Sequence, residues 1–129
     1  MEPHEEFKIL MEALKGFQAN LLDSGHKVLG FMVVVCGWVV ASQETRTFLA
    51  RRLLVRDSFI VFLGLAVVGY SFMVSRVFRM SQSVFRQLLR LDYARPETYE
   101  HYAIKAIVPI YYTVFHLLIS ALICVVITS

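Results

Sequence analysis

Charged residues are missing from three long stretches of the chain, residues 28–42, 58–75 and 106–128, which contain no Asp, Glu, Lys or Arg. The whole sequence is 57% apolar, which is too much for an ordinary soluble domain. Backbone polar groups cannot stay unpaired in hydrocarbon, so uncharged apolar runs cross a membrane as helices. The sequence therefore predicts an all-α, small polytopic membrane protein with three transmembrane helices.

Cysteine is scarce, and the common catalytic motifs are missing. The two cysteines, Cys36 and Cys124, both lie inside apolar runs, which excludes a disulfide framework and a cysteine-based metal cluster. Cys36 follows three valines, so we interpret it as a packed thiol and not as a lipidation site. There is no phosphate loop, dinucleotide fingerprint or nucleophile elbow. We therefore expect that the protein is not an enzyme.

The hydrophobic pattern divides this single membrane domain into seven segments. A helix needs about 20 residues to cross about 30 Å of hydrocarbon. The first run is shorter than this, so its spanning helix must include residues on either side of the run. Residues 76–91 contain neither Gly nor Pro, which predicts that the second helix continues beyond the membrane, either straight or bent onto its surface. The predicted segments are an amphipathic helix at 1–25, a first span at 26–43, a basic loop at 44–57, a second span at 58–75, its basic amphipathic extension at 76–91, a turn at 92–102 and a third span at 103–128.

The distribution of Lys and Arg predicts an orientation in the membrane. With three spans, the amino terminus and the connection at 76–105 share one side, and the other connection shares the opposite side with the carboxyl terminus. Nine basic residues fall on the first side, Lys8, Lys15, Lys27, Arg76, Arg79, Arg86, Arg90, Arg95 and Lys105; four fall on the second, Arg46, Arg51, Arg52 and Arg56. The excess predicts a cytoplasmic amino terminus, in a bacterial inner membrane or an organellar membrane.

The two amphipathic segments are expected to pack on each other. Apolar residues recur at intervals of three and four before the first span, at Phe7, Leu10, Leu14, Phe17 and Leu21. The extension of the second span has an apolar face opposite its arginines. We expect these two faces to meet, with acidic residues of the first segment and arginines of the second complementary at the rim. A coiled-coil contact of the first segment with another copy remains an alternative.

Four arginines, Arg76, Arg79, Arg86 and Arg90, form one face of the extension. Basic amphipathic helices of this kind bind anionic lipid headgroups or protein. No aromatic stacking platform is interleaved among the arginines, so we expect no nucleic-acid partner. The predicted partners are membrane lipids and other membrane protein subunits or copies of the chain.

His116 lies near the middle of the uncharged run 106–128, within the third span. Tyr112, Ser120 and Cys124 lie at steps of four from it and complete a polar stripe on one helix face. An ionisable side chain at this depth faces protein or water. Three roles remain open: a neutral imidazole bonded to another helix, an axial ligand of haem or chlorophyll, and a proton relay.

The other spans carry pairs of small residues that let helices approach closely. Gly37 and Ala41 form one pair in the first span. Gly64 and Gly69 reduce the side-chain bulk of the second span, where another backbone can approach. The favoured function is an accessory, structural or assembly subunit of a larger membrane complex, for example a respiratory or photosynthetic one. One alternative is a haem- or chlorophyll-binding subunit with His116 as ligand. Another is a homo-oligomeric pore or small transporter lined by the His116 face.

Overall fold

The computed structural model describes residues 2–128, which contain helices and no strand. Four α-helices and two short 3₁₀ turns follow one another: α1 (Pro3–Ala41), α2 (Gln43–Arg51), α3 (Leu53–Leu91), the turns Pro96–Thr98 and Glu100–Tyr102, and α4 (Ile107–Thr128). Three segments are long and apolar enough to span a membrane, Pro3–Ala41, Leu53–Leu91 and Glu100–Thr128. The prediction of an all-α chain with three candidate spans is therefore confirmed.

Two of the helices are much longer than a membrane is thick. α1 and α3 contain 39 residues each, which is about 58 Å at 1.5 Å per residue and about twice the hydrocarbon thickness. Residue 76 causes no break, so the extension of the second span continues it in one helix. We call residues 25–41, 58–75 and α4 the bundle. Residues 3–24 and 76–91 are the stalk.

The buried residues of the two long helices recur at steps of three, four or seven. This spacing is a heptad pattern and keeps one seam of each helix facing its neighbours. In α1 the buried positions are Leu14, Leu21, Gly25, Met32 and Val39. In α3 they are Leu63, Val67, Tyr70, Val74, Ser81 and Leu88. One seam therefore runs from the stalk into the bundle.

The apolar contact predicted between the two stalk segments is present. Leu14, Leu88 and Tyr99 form one buried hydrophobic cluster. The partly buried Phe7, Leu10 and Phe85 pack against this cluster. Tyr99 comes from the connection after α3, so the connection folds back over the stalk. The stalk thus has a small hydrophobic core of its own.

The connection at 44–57 differs from the predicted basic loop, because it is helical over most of its length. Ser42 caps α2, its hydroxyl accepting a hydrogen bond from the Thr45 backbone N–H at 3.2 Å. The segment has no Gly or Pro to prevent helix formation. Leu49 of α2 is buried beside Val39 and Ile127, so α2 closes this end of the bundle.

The turn at 92–102 contains the two 3₁₀ turns and a left-handed residue. Asp92 ends α3 with φ 46°, a conformation that short polar side chains tolerate better than others. The Gln82 side chain then donates a hydrogen bond to the Ile104 carbonyl at 2.9 Å, which ties the connection to α3. α4 begins at Ile107, later than the predicted residue 103.

Candidate functional site

The polar stripe of α4 faces the interior of the bundle. Tyr112 is 3% exposed, His116 is 2% exposed and Ser120 is 9% exposed, whereas Cys124 is half-buried. Tyr70 of α3 is buried on the opposite side of the same interface. We call Tyr70, Tyr112, His116 and Ser120 the polar cluster. The stripe predicted from the sequence therefore contacts the chain's own helices.

His116 is held by its own helix on one ring nitrogen. Its Nδ1 donates to the Tyr112 carbonyl oxygen at 2.6 Å, one turn earlier. A carbonyl can only accept, so Nδ1 carries the hydrogen and Nε2 of the neutral ring is an acceptor. The ring packs on Tyr70 with centroids 4.4 Å apart and planes inclined by 31°. This geometry fixes the imidazole between α3 and α4.

Several buried polar atoms have no hydrogen-bond partner among residues 2–128. They are the Tyr70 hydroxyl, the Ser81 hydroxyl, His116 Nε2 and the Ser120 hydroxyl. A buried polar group without a partner is costly, because it loses its hydration without replacement. The Tyr70 and Ser120 hydroxyls are donors of the kind that Nε2 requires. The polar cluster is consequently the least satisfied part of the core.

Gly25 is a site residue that the sequence reasoning missed. A Cβ atom at this position would lie 2.9 Å from the Tyr112 hydroxyl oxygen and closer still to two carbons of the ring. Only glycine lets the tyrosine ring lie directly on the α1 backbone. The signal was present in the heptad pattern, since Gly25 stands four residues after Leu21 and seven before Met32, at a core position.

The predicted small-residue sites point away from the bundle. Gly37, Ala41, Gly64 and Gly69 are all exposed. A Cβ atom added at any of the three glycines would meet nothing within 4 Å. Among residues 2–128, these positions therefore mediate no close helix contact. Their contact with another chain stays a prediction.

The four arginines of the stalk, Arg76, Arg79, Arg86 and Arg90, are exposed. Within the described part of the chain, ion pairs form only between Lys27 and Asp23 and between Arg56 and Asp57. The predicted charge pairing between the first segment and these arginines is therefore not found there. Exposed pairs contribute little to stability, which is why apolar burial can hold the stalk without them.

The position of His116 does not suit an axial ligand. A haem or chlorophyll macrocycle needs an open approach to Nε2, but this atom is enclosed between α3 and α4. Binding would require these helices to separate. In residues 2–128 no three His, Cys, Asp or Glu side chains lie close enough together to hold a metal ion.

A pore lined by the His116 face is also difficult to build from this fold. Such a pore would need Tyr112, His116 and Ser120 to face an axis between copies. In the bundle these side chains are already covered by α1 and α3. The surface that remains for contact with other molecules is apolar in the bundle and basic along one side of the stalk.

Comparison with known proteins does not assign the chain to a family. It matches no family model, no curated protein and no solved structure. Function is therefore inferred from the geometry of the bundle and the stalk.

Proposed function

We propose that the chain is an accessory or assembly subunit of a larger integral membrane complex and acts through helix–helix contacts. The observation that carries this proposal is an outward stripe of small residues on α1. Gly30, Gly37 and Ala41 are exposed on the side of α1 opposite the buried Met32 and Val39. A Cβ atom placed at either glycine would meet no neighbour within 4 Å in the part of the chain that the structure describes.

The stripe is difficult to explain by the fold of the chain alone. A glycine inside a helix costs about 0.5–1 kcal/mol relative to alanine. Gly25 offsets this cost by giving room to the Tyr112 ring, but Gly30 and Gly37 give room to no side chain of the described part of the chain. In lipid, small residues let a second helix approach the backbone closely and gain packing energy. A partner helix packed on this side of α1 would gain close backbone contact at both glycines and so offset their cost.

The polar cluster supports contact over transport or catalysis. Its four side chains are buried among α1, α3 and α4. A subunit with a polar interior and an apolar exterior suits a role in which neighbouring membrane helices are its partners.

The proposal includes an orientation, with the stalk on the cytoplasmic side. Nine Lys and Arg residues, including all four stalk arginines, belong to the stalk side, against four near α2. A cysteine introduced at exposed Lys8 would test this with a membrane-impermeant maleimide. We expect labelling in inverted vesicles and none in right-side-out vesicles; the reverse pattern would overturn the orientation.

The helix-contact proposal is tested by adding bulk to the stripe. Gly37→Leu fills the space that a partner helix would occupy, whereas Val40→Leu adds bulk to the flank of the same helix, where Val40 is 41% exposed. Native mass spectrometry after mild extraction should show the partner subunit with the wild type and with Val40→Leu, and its loss with Gly37→Leu. Equal retention in both variants would contradict a contact through the stripe.

A further inference from the structure

Two adjoining grooves lie between α3 and the beginning of α4. The groove nearer the stalk, called the upper groove, has a volume of about 510 Å³ and is bordered by Arg79, Arg86 and Lys105. The lower groove has a volume of about 390 Å³ and is bordered mainly by apolar side chains, including Pro109 and Ile110. Phe78, Arg79 and Ala106 border both. The two are therefore parts of one continuous depression.

The charges change sharply along this depression. The upper groove has three cations and one acid, Glu100, and none of these four groups forms an ion pair within residues 2–128. In the lower groove Arg79 is the single charged side chain on the lining. One end of the depression therefore suits an anion and the other suits a hydrocarbon chain.

The depression also lies where two of the uncharged runs of the sequence end. Ser75 borders the lower groove and is the last residue of the uncharged run 58–75, and Ala106 is the first residue of the run 106–128. In a membrane, the ends of such uncharged runs lie at the boundary between hydrocarbon and headgroups, where polarity changes in the same way. One wall of the upper groove is held in place by a hydrogen bond, because the Gln82 side-chain amide donates to the Ile104 carbonyl oxygen at 2.9 Å.

We propose that this depression binds one anionic phospholipid, with its phosphate among Arg79, Arg86 and Lys105 and one acyl chain along the lower groove. Arg76 and Arg90 lie on the same helix but border neither groove. The proposal thus divides the arginine face into two lipid-binding residues and two that are not. It stands independently of any partner subunit.

Titration of the purified full chain in a zwitterionic detergent, followed by native mass spectrometry, tests the site. We expect one tightly bound phosphatidylglycerol and much weaker binding of phosphatidylcholine. Arg79→Gln, Arg86→Gln and Lys105→Gln should each weaken phosphatidylglycerol binding about fivefold, the usual effect of one cation at an anionic membrane surface. Arg76→Gln and Arg90→Gln make the same change of charge and should leave binding unchanged.

A second variant separates the lipid from a simple anion. Ala106→Trp fills the junction of the two grooves without changing charge and should also weaken binding, with circular dichroism confirming that the helices persist. Millimolar inorganic phosphate should not displace the lipid, because it cannot occupy the lower groove. Complete displacement by phosphate, equal binding of both lipids, or equal losses in the Arg76 and Arg90 variants would overturn the proposal.

Discussion

The stalk and the bundle are built from the same two long helices, yet their cores differ in chemistry. The stalk core is Leu14, Leu88 and Tyr99, with further aromatic and aliphatic side chains around it. The bundle core includes the polar cluster, and α1 contacts it through a glycine. In water, apolar burial drives helices together, whereas lipid is as apolar as leucine and gives no such drive. The bundle must therefore depend more on close fit between its helices.

The comparison predicts the largest effect for removal of an apolar side chain from the stalk. Leu14→Ala should lower the free energy of unfolding by about 2–5 kcal/mol, because Leu14 is fully buried and a cavity remains. Ile9→Ala, on the same helix at a side chain 55% exposed, is the control and should cost less than about 0.5 kcal/mol. Urea unfolding in detergent, followed by circular dichroism, measures both. Similar losses would show that burial does not hold the stalk.

Close fit in the bundle is broken by adding a methyl group. Gly25→Ala should destabilise the bundle by about 1–3 kcal/mol, since the new Cβ collides with the Tyr112 ring. Gly16→Ala is the matched control; it adds a Cβ in open space and should stabilise α1 by about 0.5–1 kcal/mol. Thermal unfolding in detergent compares the two, and Tyr112→Leu should rescue Gly25→Ala. A higher melting temperature for both alanine variants would contradict the close contact.

The importance of the imidazole itself is tested by an apolar ring. His116→Phe keeps a ring beside Tyr70 and removes the unpartnered Nε2, so we expect a change in unfolding free energy below about 1.5 kcal/mol. His116→Ala leaves a void next to Tyr70 and should be clearly more destabilising. The same thermal measurement distinguishes them. If both variants lost the fold equally, the hydrogen bond to Tyr112 would be the dominant contribution.

The smallest predicted effect concerns pH and the stalk. Burial raises the pKa of the Tyr99 phenol, and the Asp92 carboxylate raises it further. The folded pKa therefore lies above the ordinary value of about 10, so this contribution to stability is complete below about pH 10 and is lost as pH rises through the folded pKa. The stability of the stalk should therefore fall less in alkaline solution for Tyr99→Phe than for the wild type. Parallel pH profiles would exclude this contribution.

Much of the fold could be predicted because periodicity and charge are local properties of the sequence. The uncharged runs predicted three spans, and the spacing from Phe7 to Leu21 predicted the stalk contact. The helix α2 was missed because its composition is polar and basic, although Ser42 is a good capping residue. The role of Gly25 depends on how α1 and α4 align, and a single sequence does not reveal this alignment. The orientation of the small residues toward or away from the bundle depends on the same information.

Native mass spectrometry of the protein extracted mildly from its source membrane tests the central claim most directly, since one mass reports subunits and retained lipid together. We predict a species that contains the chain with at least one different polypeptide, and with an anionic phospholipid still bound. A bare monomer or a symmetric homo-oligomer as the sole species would contradict the role of a subunit in a larger complex.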